Sequence, residues 1–94
     1  MSGKMPATTN QYFSIDKVVT TAEGVVNLPF RCSRLLDIIR NDGPGEAAIT
    51  LDGGNAIPLD AGDYIGPWAD FNCSTIEIQC VTANSSCRVR ALGV

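Results

Sequence analysis

Histidine is absent from this chain. Its absence removes the commonest general base, the Ser-His and Cys-His nucleophile pairs, and the most used metal ligand. Histidine-bound metal enzymes built on jelly rolls, such as cupins, are excluded on the same ground. Neither a GxxxxGK phosphate loop nor a GxGxxG turn is present. Cations are few: seven Lys and Arg stand against ten Asp and Glu, a net charge of −3. They are scattered as Lys4, Lys17, Arg31, Arg34, Arg40, Arg88 and Arg90, which speaks against a nucleic-acid partner. No apolar run approaches the roughly 18 residues needed to cross a bilayer, so no membrane partner is expected. The opening MSGKMPATTNQ has no apolar stretch of the kind a secretory signal needs, so no secretory signal is visible. The four cysteines include no CxxC pair, six residues being the shortest gap between them, so a zinc cluster is not expected. Asp42, Asp52, Asp60 and Asp63 lack calcium-loop spacing, and aspartate favours turns for its own backbone hydrogen bonding. The expectation is a non-enzymatic chain with no catalytic residue, cofactor or metal.

What the sequence does contain is alternation. At 94 residues it is one domain. Residues 1–11 are small and polar, without period, and read as a flexible arm; residues 12–94 read as a single β domain. Tyr12 to Thr21 forms a first strand, with Phe13 and Ile15 alternating with Ser14 and Asp16. Gly24 ends it, and Val25 to Leu28 starts a short second strand that Pro29 places at an edge or an exit. Arg34 to Arg40 (RLLDIIR) carries an apolar run about seven long, which fits a strand better than a helix. The turn Asn41-Asp42-Gly43-Pro44-Gly45 follows. Ala47, Ile49 and Leu51 then alternate up to the tight turn Asp52-Gly53-Gly54-Asn55. Ile57 and Leu59 flank Pro58 in an edge-like strand, and Asp60 to Asp63 turns into Tyr64-Ile65. The last two strands read as a hairpin: Ile76, Ile78 and Cys80 on one face, then Cys87, Val89 and Ala91 on the same face, with Thr82 to Ser85 as the loop. Arg88 and Arg90 share the opposite face of the return strand. Turn signals every eight to twelve residues predict about eight short strands in a small antiparallel β-sandwich or jelly-roll-like barrel. A chain this size buries only about 60–65% of its unfolded surface, so partner subunits would add stability.

Two groups of side chains invite a role. The hairpin would put Cys80 opposite Cys87 on the core face, where opposed Cβ atoms approach disulfide range. A strained cross-strand bridge and a pair of free, buried thiols are both open, and a reducing cytosol favours the thiols. Cys32 and Cys73 are open to pairing with each other or with a neighbouring subunit. Tyr64, Trp68 and Phe71 cluster in YIGPWADF, around Gly66 and Pro67. There they either anchor a partner or cap one end of the barrel.

From Leu36 onward the chain resembles small virion proteins of tailed bacteriophages. The matching stretches are IIRNDGPGEAAITLDGG, IPLDAGDYIG and STIEIQC…CRVRALGV, about two thirds of the chain. The resemblance implies a compact β-sandwich or jelly roll that coats a capsid as a decoration (cement) protein, commonly a homotrimer at three-fold positions on the major capsid protein. Its implied location is the capsid surface of the virion, after synthesis in the host cytoplasm. It carries no catalytic residues. The competing expectation is a carbohydrate- or receptor-binding module of a tail or head fibre, in which Trp68 and Tyr64 stack on a sugar ring.

Overall fold

The computed structural model describes residues 12–94; the expected arm, residues 1–11, lies outside them. The strands are β1 (Phe13–Thr20), β2 (Val25–Cys32), β3 (Ile39–Asn41), β4 (Ala47–Leu51), β5 (Ile57–Leu59), β6 (Tyr64–Ile65), β7 (Cys73–Cys80) and β8 (Ser86–Gly93). They form two four-stranded sheets, ordered β1-β8-β3-β6 and β2-β7-β4-β5. Every ladder is antiparallel. β1 pairs with β8, β2 with β7, β3 with β6 and β4 with β5. The chain is therefore one long nested hairpin, rolled until β3 also meets β8 and β4 meets β7. That is the strand order of an eight-stranded jelly roll, a form of β-sandwich.

Period-two alternation drives the layering. In β1, Ile15 and Val19 turn inward while Ser14, Asp16, Val18 and Thr20 face solvent. Ile76, Ile78 and Cys80 of β7 meet Cys87, Val89 and Ala91 of β8 across the core, with Phe30, Leu35, Ile39, Ile49 and Leu59 between them. Full burial of one such large apolar side chain stabilises the fold by about 1.5–3 kcal/mol. One polar residue lies at the bottom of this core. Asn41 is fully buried, and its Nδ2 donates to Gly45 O and Leu59 O, both at 2.9 Å. Its Oδ1 accepts from Gly43 N–H at 2.8 Å. A single amide thus shapes the 41–45 turn and ties it to the end of β5, leaving no donor of its own unpaired.

Local chemistry sets the corners. Thr20 and Glu23 form a capping box: Thr20 N–H donates to Glu23 Oε1 at 2.8 Å, and Glu23 N–H donates to Thr20 Oγ1 at 3.3 Å. The box closes the 3-10 turn Thr21–Glu23, which carries the chain from one sheet to the other. Asp52 sits at φ 51°, a left-handed conformation that Asp tolerates. Its Oδ1 accepts from Ser74 N–H at 2.8 Å and Thr75 N–H at 2.9 Å, holding the β4–β5 turn against β7.

Three expectations change in detail. The second strand does not stop at Pro29; β2 runs on to Cys32 as an edge strand, with a register shift between Pro29 and Cys32. The strand expected over Arg34–Arg40 is confined to Ile39–Asn41, and Leu35 makes only isolated bridges to Trp68 and Gly93. Leu36 N–H (3.0 Å) and Asp37 N–H (3.3 Å) both point at Leu92 O, so the ladder cannot advance between them. The expected C-terminal hairpin is instead an arch: β7 and β8 belong to different sheets. Thr21 pins the connection from the side. Its N–H donates to Ser85 O at 3.0 Å, and its hydroxyl accepts from Ser85 N–H at 3.1 Å and donates to Thr82 O.

Candidate contact surface and thiol pairs

The predicted aromatic group divides in two. Trp68 stacks on Phe71 with centroids 5.5 Å apart and planes 26° from parallel. Phe71 in turn meets Phe30 edge-on, at 6.0 Å and 72°. Phe30 is fully buried while Trp68 is 38% exposed, so the three rings climb from the core to the surface. The bridge from Leu35 holds the Trp68 backbone, Leu35 N–H donating to Trp68 O at 2.8 Å. Gly66 makes this approach feasible: a Cβ there would lie 2.6 Å from Leu35 Cδ2. Leu36 adds a second exposed apolar side chain next to that bridge. Tyr64 takes no part in the stack. It lies on β6, opposite Arg40 of β3, and is 61% exposed.

Tyr64 ends a row that crosses the outside of its sheet. The register sets Asp16 opposite Arg90, Arg90 opposite Arg40, and Arg40 opposite Tyr64. Arg88 grips Asp16 through two bonds of 2.7 Å. That contact, followed by the charge of the arginines, holds the Asp16 carboxyl below the ordinary range and raises Arg88. Asp42 sits between the other two arginines. Arg40 Nε donates to Asp42 Oδ1 at 2.9 Å, whereas Arg90 Nε lies 2.9 Å from Oδ2 but off the hydrogen-bond line, an ion pair by distance alone. The shared face expected for Arg88 and Arg90 is present; Arg40 joins it only through the β3–β8 pairing, which the sequence does not reveal.

All four cysteines are buried free thiols, and they fall into two facing pairs. β7 begins at Cys73 and ends at Cys80, with a partner at each end. Cys73 is the register partner of Cys32 on β2. Cys80 lies close enough to Cys87 to raise its thiol, but across the sandwich rather than along a ladder. Each site has a glycine pressed on sulfur. A Cβ on Gly93 would lie 2.6 Å from Cys32 Sγ, and one on Gly45 would lie 2.9 Å from Cys80 Sγ. The surroundings of the two pairs differ. Cys32 and Cys73 line an open cleft of about 290 Å³, with Arg31, Asn72 and Val94 at its walls. Cys80 and Cys87 are covered by the arch and by Thr21, whose hydroxyl is 3.5 Å from Cys80 Sγ. Burial, before any charge, pushes the Cys32 and Cys87 thiols up to about 11. Cys73 is raised as well, by burial and then by Asp52.

Among the described residues, no group of three or more Cys, Asp or Glu is placed to hold a metal ion. No helix among them is long and apolar enough to cross a membrane. Comparison with protein-family models, curated proteins and solved structures returns no match to this chain.

Proposed function

We propose that the chain is a non-enzymatic structural protein of a bacteriophage virion that docks on the outside of the capsid and stabilises the shell. The observation that carries this reading is the Trp68 stack. A large aromatic ring stands at the surface, fixed from beneath by Phe71 and Phe30, and so needs little further ordering on binding. Rigid aromatic anchors of this kind concentrate the energy of protein interfaces. The jelly-roll strand order supports the reading at the level of fold analogy, since that fold recurs in viral capsid domains. The resemblance of the stretches from Leu36 onward supplies the capsid partner. In this reading the subunits form a homotrimer on the major capsid protein, and each buries surface on more than one shell subunit. Opening the shell then breaks several contacts together.

The same fold also occurs in lectin domains, and an exposed Trp can stack on a sugar, so one substitution tests both readings. Trp68→Ala leaves Phe30 and Phe71 in place and the domain folded by circular dichroism. In co-sedimentation with shells of the cognate major capsid protein, the wild-type chain pellets and the variant loses affinity by roughly 30-fold or more, the size of an interface hot spot. Equal pelleting by both chains would overturn the Trp68 docking site. Failure of both to pellet, with glycan binding that Trp68→Ala abolishes, would replace the capsid reading with a sugar-binding one.

A further inference from the structure

Each cysteine faces one other, and all four are buried, but only Cys32 and Cys73, 6% and 4% exposed, line an open cleft. We propose that Cys32 and Cys73 form an oxidation site, which reacts with a low-molecular-weight disulfide such as oxidised glutathione and closes into an intramolecular bridge. This inference rests on the placement of the thiols and is independent of the capsid reading.

Register and access both support it. Directly opposed residues of an antiparallel pair have Cα atoms about 4.5–5.5 Å apart, inside the roughly 4.4–6.8 Å range of disulfides. Cys32 and Cys73 hold such a position, just beyond the register shift in β2. Their sulfurs are turned to local acceptors: Cys32 Sγ donates to Phe30 O at 3.4 Å, and Cys73 Sγ donates to Thr75 O at 3.2 Å. Both bonds are weak and yield to rotation about Cα–Cβ. The cleft of about 290 Å³ in front of them is lined by Arg31, whose charge suits an anionic tripeptide disulfide, while the Asp52 carboxylate, 3.9 Å from Cys73 Sγ, opposes a thiolate there. Gly93 leaves the space behind Cys32 free of a Cβ.

The chemistry balances within the thiol pool. One cysteine, in the small thiolate fraction that burial leaves it, attacks a sulfur of oxidised glutathione, so the reaction is slow and needs a long incubation. A protein–glutathione mixed disulfide forms and one glutathione thiolate leaves. The second cysteine thiolate attacks the protein sulfur of that mixed disulfide and expels the second glutathione. Two protein sulfurs are oxidised, one glutathione disulfide is reduced, and the two cysteine protons end on two glutathione thiols. Closure spans the 40 residues from 33 to 72, a long loop whose restriction stabilises the folded state mainly through the unfolded one. It also fixes the strands beneath Trp68, because Phe30 lies two residues before Cys32 and Phe71 two residues before Cys73.

The enclosed pair supplies an internal control. Cys80 and Cys87 are 1% and 0% exposed, and in the folded chain they stay reduced while Cys32 and Cys73 react. The test uses the full reduced chain, incubated without oxygen with oxidised glutathione at pH 8. Remaining thiols are then alkylated under denaturing conditions, and the chain is cut after Arg and Glu. The expected map links the peptide Cys32–Arg34 to Ala47–Glu77, with both cysteines of Ile78–Arg88 alkylated, and Tm rises by about 10 °C. A bridge within Ile78–Arg88 and none to Cys32, a dimer linked between chains, a stable glutathione adduct that never closes, or four alkylated thiols would each overturn the proposal. Cys73→Ser is expected to stop at one glutathione on Cys32; a bridge formed by that variant with Cys80 or Cys87 would equally overturn it.

Discussion

Asn41 shows how much one buried amide organises. Three hydrogen bonds join its side chain to Gly43, Gly45 and Leu59, and all are buried. Asn41→Ala removes the partner of each and leaves buried backbone groups unsatisfied, at a cost of about 3 kcal/mol. The urea midpoint of the variant measures this; a loss below about 1 kcal/mol would show that water replaces the amide. Asn41→Asp is expected to be no rescue, because it turns an acceptor toward two carbonyl oxygens. From sequence, Asn41 is legible only as the start of a turn. Nothing in a turn motif says that the side chain points into the core. Trp68 and Phe71 are the opposite case: three positions apart in one loop, their proximity is local and readable. Tyr64 is separated from them because it belongs to β6, whose position is set by pairing with β3.

Among the elements, the four sheet edges are managed differently. β2 contains Pro29, β5 contains Pro58 and β6 is two residues long. Each of these edges is a poor template for a further strand. β1 has eight residues and no proline, so its protection falls to Lys17. That lysine shares the inward side of the strand with Ile15 and Val19, yet stays partly exposed. A foreign strand added at this edge would have to bury the ammonium beside the core. Lys17→Val is therefore expected to add species larger than the wild-type assembly in size-exclusion chromatography with light scattering. An unchanged profile at high concentration would remove Lys17 from this role. Strand faces are largely legible, since alternation fixes them; partners are not. The β7–β8 connection reads as a hairpin because an arch between sheets leaves the same alternation on both strands. The sequence leaves the partner of Cys32 and of Cys73 open for a similar reason: their register depends on the irregularity after Pro29 and on a strand far along the chain.

For the molecule as a whole, acid should be the weak side. Asp52 is held below the ordinary 3.8 chiefly by Ser74 N–H. Asp16 is lowered chiefly by Arg88, and Glu23 chiefly by the Thr20 backbone. In each case the unfolded chain takes up the proton first as pH falls. The contribution of these groups to stability is complete above the unfolded values and is lost as pH drops through the lower folded ones. The urea midpoint should accordingly hold down to about pH 4 and then decline. Asp52→Asn, which keeps the acceptor oxygen but cannot titrate, should flatten part of that decline; an identical acid limb in the variant would assign the loss to other carboxylates. The rolled topology has a further consequence, in the order of synthesis. Among the described strands, β1 leaves the ribosome before all the others, and its neighbour in the sheet, β8, leaves after them. Throughout translation an eight-residue strand waits without its partner, in a crowd of other nascent chains, and the lysine at its centre guards it most in that interval.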